Sequence, residues 1–181
     1  MICMTAGITK DEHTRVAEYF KRFMMLYPLA VPVTSVDPSI YESFLALMQA
    51  VAASSEIKIL IIAHGFDDGT GLYVPLVPKG PPTTHNVAIL AWCMGQKKSP
   101  ITAAEAQMVG LKAVDIPPLL AVRKDLNAKP KALIEFRGCE LGKLKLSLQR
   151  FREFSGAINF GAPNVGSYFG SFNQRGGPNV M

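Results

Sequence analysis

The chain has few cysteines, no long hydrophobic run and little charge. Its three cysteines, Cys3, Cys93 and Cys139, are odd in number and widely separated. That argues against a disulfide framework, and with no C-x-x-C pair it argues equally against zinc or dithiol redox chemistry. No apolar stretch approaches the ~20 residues a membrane helix needs, and even Leu45 to Ala53 is interrupted by Gln49. The opening "MICMTAGITKDEH" lacks a basic region followed by a long apolar core, so no secretory leader is expected. Free thiols in a reducing cytoplasm, and no membrane, are the expectation. Neither "DDGTG" nor "GAPNVG" matches a P-loop or a dinucleotide fingerprint, and no metal or other cofactor is expected.

What is present is a packed chain. At 181 residues, with 49% hydrophobic and 18% charged, it is long and apolar enough for one domain with a substantial core. We expect that domain over residues 1–170, and a flexible Gly- and Asn-rich tail over 171–181. The formal charge of +5 is spread out, with its densest group in "KLKLSLQRFR" at 143–152, which reads as a solvated helix face.

Strand and helix patterns alternate along the sequence. "MICMTAG" is β-compatible, and "ITKDEHTRVAEYFKRFMMLYP" follows with Val16, Tyr19, Phe20, Phe23 and Met24 at helical spacing. Thr9 with Glu12 forms a capping box at its start, and Pro28 stops it. "LAVPVTSV" reads as a strand that Pro32 places at an edge or at a strand's beginning. "DPSIYESFLALMQAVAASSE" predicts a helix with Asp37 as N-cap and Pro38 at its first position. "IKILIIAHGF" is apolar and β-branched throughout, the pattern of a central strand covered on both faces. "DDGTGLYVPLVPKGPP" predicts an excursion, with a small hairpin, beside the sheet's edge.

Over 83–129, "ITAAEAQMVGLKAV" and "PPLLAVRKDLNA" carry helical signals, whereas "NVAILAWCMG" fits helix or strand. "KALIEFRGCELG" then reads as a buried strand, "KLKLSLQRFREFSG" as an amphipathic helix closed by Gly156, and "AINFGAP" as a last strand. The result is a three-layer α/β fold, a mostly parallel sheet of about five strands with helices on both faces. Such sheets bind ligands outside the carboxyl ends of their strands.

Two reactive side chains fall at those ends. His64 closes "ILIIA" and precedes Gly65, and Cys139 closes "LIEFRG" shortly before a helix. If the two strands are parallel neighbours, about 5 Å apart, imidazole and thiol converge. A thiol beside an imidazole and a helix N-terminus supplies thiolate at neutral pH for attack on a carbonyl. The backbone amides of Gly65 and Cys139 would serve as the oxyanion hole. Asp67 and Asp68 would orient the imidazole or bind a basic substrate residue, and Glu140 would line the pocket or favour the helix N-terminus. Glu135 and Arg137 read as a structural pair, His13 and His85 as surface residues, and Cys93 with Trp92 as core. An α/β-hydrolase is disfavoured because its nucleophile, in G-x-S-x-G, precedes its histidine.

The stretches "ILIIAHG" and "ALIEFRGCELG" resemble the caspase-like (clan CD) cysteine peptidases: caspases, clostripain, gingipain, separase and the CHAT-type proteases. "FSGAINFGAP" is similar to the Gly-Ala strand that comes next in CHAT-type members. The resemblance spans Met1 to about Pro163, with Gly138 where members carry a small residue such as Ala. It implies a Cys-His dyad, Cys139 as nucleophile and His64 as general base and acid, without metal. The implied partners are a protein or peptide substrate, cut after a chosen side chain, and a regulatory protein. Two other readings stand beside it. One is a catalytically inactive relative serving as an interaction module. The other is a basic nucleic-acid binder using Lys143, Lys145, Arg150 and Arg152.

Overall fold

A computed structural model of the protein describes residues 1–26, 33–66, 71–80, 111–137 and 145–162. The chain runs through β1 (Ile2–Ala6), α1 (Lys10–Leu26), β2 (Ser35–Tyr41), α2 (Phe44–Ala53) and β3 (Lys58–Ala63). A single 3₁₀ turn, Ala113–Asp115, then leads into α3 (Ile116–Ala128), followed by β4 (Leu133–Arg137), α4 (Lys145–Ser155) and β5 (Asn159–Gly161). The five strands form one sheet in the order β2-β1-β3-β4-β5, every pair parallel. This is the three-layer α/β architecture expected, with β3 at its centre.

The order follows from how parallel strands connect. From β1 the chain steps to β2, returns across β1 to β3, and then continues outward to β4 and β5. Right-handed crossovers put the one leftward connection, α1, on one face and the rightward ones, α2, α3 and α4, on the other. The packing agrees. Val16 and Phe20 of α1 bury Cys3, Leu60 and Ile62 on one face. On the other, Phe44 and Leu47 of α2, Leu119 and Leu126 of α3, and Phe151 and Phe154 of α4 cover Met4, Ile59, Ile61, Ile134 and Phe136. The rings interlock there, with centroids 5.8 Å apart for Phe44 and Phe151, and 5.5 Å for Phe136 and Phe151. Gly156 closes α4 as its sequence position predicts, with φ of +63° and its amide on the carbonyl of Arg152.

One boundary differs from the sequence expectation. Asp37 and Pro38 do not open α2; they lie inside β2, and α2 begins at Phe44 with Ser43 as N-cap, its side chain accepting from the amide of Ala46. Cys3 pairs with Val36 and Thr5 with Ile40, so Met4 faces the three residues Asp37 to Ser39 in a bulge. Asp37 accepts the Ser39 amide at 2.8 Å and the Tyr41 hydroxyl at 3.1 Å, a local turn bond that replaces the ladder. Pro38, which has no N–H to donate, is tolerated on this edge strand.

The excursion after β3 also differs in position. It does contain a hairpin: Phe66 donates to the carbonyl of Gly71 at 3.0 Å and Tyr73 to that of His64 at 2.8 Å, around an antiparallel pair of Gly65 and Leu72. Yet it crosses the carboxyl end of the central strands instead of lying beside the sheet's edge. Leu72, Val74 and Leu76 are fully buried, and the carbonyls of Pro75 and Leu76 accept the amides of Phe44 and Leu45 that open α2. Their alternating apolar pattern is what draws the segment inward. Residues 81–110, with His85, Trp92 and Cys93, and the tail 171–181 lie outside the described residues.

Candidate active site

In a 2-1-3-4-5 sheet the connections leave β1 and β3 in opposite directions, so a crevice opens between their carboxyl ends. His64 stands at the end of β3. Successive strand residues alternate faces, and Leu60 and Ile62 face α1, so His64 falls on the α1 side as well. Across the crevice, α1 begins directly after β1.

The first turn of α1 supplies the partner. Glu12 Oε1 lies 3.1 Å from His64 Nε2. The other carboxylate oxygen, Oε2, accepts the Thr9 amide at 2.7 Å and the Thr9 hydroxyl at 2.8 Å, while the Glu12 amide donates back to Thr9 Oγ1 at 3.2 Å. This is the expected capping box, with one oxygen left over for the imidazole. The Thr9 amide, chiefly, holds the Glu12 carboxyl below its ordinary range; partial burial opposes this, and the Thr9 hydroxyl and His64 add to it. An ionised carboxylate can only accept, so Nε2 carries the ring proton and Nδ1 is left as an acceptor. The pair is open to water, with His64 51% and Glu12 35% exposed.

A second imidazole sits near the start of α1. The buried Thr5 hydroxyl donates to the carbonyl of Ser39 at 3.3 Å and lies 2.8 Å from His13 Nδ1. His13, read as a surface residue, is partly exposed and is anchored by this contact to the end of β1.

Gly65 is buried, and its pairing with Leu72 is of the kind bonded through the flanking residues, Phe66 to Gly71 and Tyr73 to His64. Its own N–H therefore points away from the Leu72 segment and donates to no acceptor among the described residues.

On the far side of β3 runs β4, parallel and in register, with Ile62 opposite Arg137. Arg137 and Glu135 form the expected ion pair on the α1 side of β4. Tyr19 of α1 reaches toward it: burial pushes its hydroxyl up, and Arg137 draws it down. Cys139, with Gly138 and Glu140, lies outside the described residues, as do Asp67 and Asp68. Of the anticipated site residues, His64 and Gly65 are the ones described. The buried thiol of Cys3 is pushed up to about 12 by burial, which makes it an inert small hydrophobe.

The basic group of α4 is largely engaged within the chain. Arg150 pairs with Glu153 at 3.3 Å, and Arg152 Nε donates to the carbonyl of Ala157 at 3.4 Å. Lys145 is exposed, and Lys143 lies outside the described residues. Among the described residues no cluster of three His, Cys, Asp or Glu could hold a metal ion, and no helix is long and apolar enough to cross a membrane.

No family model, curated protein or solved structure matches the chain. The site residue that sequence reasoning missed is Glu12, read as a cap alone. The signal was available: a helix following the first strand of a parallel sheet starts on the same edge where His64 ends the third.

Proposed function

We propose that this protein is a caspase-like cysteine peptidase acting in the cytoplasm on protein or peptide substrates, with Cys139 as nucleophile and His64 as general base and acid, without metal or cofactor. One observation carries the reading. β3 and β4 are parallel neighbours with Ile62 opposite Arg137, and His64 and Cys139 each stand two residues further along their chains.

In this mechanism Nδ1 of His64 takes the thiol proton, and the thiolate attacks the scissile carbonyl carbon to form a C–S bond. The amides of Gly65 and Cys139 hold the resulting oxyanion. The imidazolium returns its proton to the leaving amine as the C–N bond breaks, leaving a thioester. A water molecule, deprotonated by His64, then releases the acid and restores the thiol. In this reading Asp67 and Asp68 would bind a basic residue before the cleaved bond, and Glu140 would serve the same pocket.

Timed alkylation of the full-length protein with iodoacetamide, read cysteine by cysteine by mass spectrometry, tests this. Cys139 is expected to label fastest, His64→Asn to remove that lead, and Cys139→Ala to abolish cleavage of a peptide library. Equal labelling of Cys93 and Cys139, with no cleavage, would reject the peptidase and favour the interaction module.

A further inference from the structure

We infer that Glu12 is the positioning residue for His64, fixing the imidazole with its proton on Nε2 so that Nδ1 is free to act on the thiol. The inference rests on the peptidase reading for its catalytic meaning, though not for its geometry. A capping glutamate needs one oxygen, and here Oε2 takes both donors of Thr9. The side chain is thereby held in one orientation, with Oε1 directed across the crevice onto Nε2 at 3.1 Å. A hydrogen bond this exposed adds little to stability. What it does determine is which ring nitrogen bears the proton and where the ring points, the two properties a general base requires.

The substitution Glu12→Gln separates the cap from the orienting bond. The Gln carbonyl can still accept the Thr9 amide, so α1 remains capped. Its NH₂ group then faces Nε2, which must become an acceptor, and the ring proton moves to Nδ1. That is the nitrogen the mechanism needs unprotonated.

The test uses the full chain labelled with ¹⁵N at histidine, in two-bond ¹H–¹⁵N correlation spectra at about pH 8.5, where imidazoles are ordinarily neutral. The signals of His64 are assigned by their loss in His64→Asn. We expect an Nε2–H ring in the unsubstituted protein and an Nδ1–H ring in Glu12→Gln. Alkylation of Cys139 is expected to slow by about 100-fold in Glu12→Gln, the scale of misplacing a reacting group, and comparably in His64→Asn. An unchanged tautomer in Glu12→Gln overturns the inference whatever Cys139 does. A tautomer that switches while neither substitution slows Cys139 overturns the peptidase reading, and with it the part of Glu12 in catalysis, while leaving the pair itself intact.

Discussion

The two ends of this sheet use their polar groups in opposite ways. At the amino end they bond backbone and close the structure. Lys131, only 4% exposed, donates from Nζ to the carbonyl of Ser54 at 2.6 Å, and burial, with Lys129 nearby, holds its ammonium below the ordinary lysine range. The amides of Ala132, Ile158 and Asn159 donate in turn to the carbonyls of Ile57, Lys131 and Ala132, lacing together the entries to β3, β4 and β5. At the carboxyl end Glu12 and His64 bond to each other and remain in water. There Gly7 passes so close to the Tyr73–Val74 backbone that a Cβ would lie 2.6 Å from the Tyr73 carbonyl oxygen, and we expect firmness at that end to come from this approach and not from the exposed Glu12–His64 bond. One parallel sheet thus separates a rim laced by backbone bonds from a rim where, in the proposed peptidase, side chains would meet a substrate.

Four measurements can break or sharpen that contrast, in order of expected effect on stability. Gly7 has φ of +61°, and a Cβ there would meet the carbonyl oxygen of Tyr73 at 2.6 Å and Val74 at 2.7 Å. Gly7→Ala is therefore expected to cost about 2–5 kcal/mol in urea unfolding, from a left-handed Ala together with overpacking. A loss under about 1 kcal/mol would mean that the crossing yields and that the carboxyl end is not held by it. Next, Lys131→Ala strands the carbonyl of Ser54 and is expected to cost about 1–3 kcal/mol while leaving the alkylation of Cys139 unchanged. A shift in that reactivity would show the two ends to be coupled.

The third measurement is a pH series of thermal melts comparing the native chain with Glu12→Gln. The folded carboxyl of Glu12 titrates below its ordinary value, so its contribution is fully present above the unfolded value of about 4.3 and is lost as pH falls through the lower, folded one. Below the unfolded carboxyl value of about 4.3 the gap between the two proteins is expected to close on acidification. A gap that stays fully open at about pH 2, below the ordinary carboxylate range, would contradict the assigned bond. Smallest in stability is His64→Asn, expected to change unfolding by no more than about 0.5 kcal/mol, as exposed substitutions do, while removing the preferential labelling of Cys139. A large destabilisation would make His64 a structural residue and erase the contrast.

Much of the architecture was readable because it is written in local periodicity. The run "IKILIIA" predicts a strand covered on both faces, and Leu60, Ile62, Ile59 and Ile61 are buried on alternate sides of β3. The Thr9–Glu12 box was readable for the same reason, since its partners are three residues apart. The start of α2 was not. Asp-Pro is as good a helix opening as it is a bulge with an internal turn bond, and what decides between them is the pairing of Cys3 and Thr5 with β2, some thirty residues away in sequence. The partnership of Glu12 with His64 spans 52 positions and depends on β3 lying against β1, which no local pattern encodes. The sequence placed His64 at the carboxyl end of β3 but did not show the Glu12 that meets it there.

Because a single carboxylate serves both the Thr9 cap and the imidazole, the first turn of α1 and the set of His64 are mechanically one unit. Helix ends fray at lower temperatures than sheets melt. Warming is therefore expected to release the ring while the five strands are still intact, so that chemistry depending on His64 would be lost to heat before the protein unfolds.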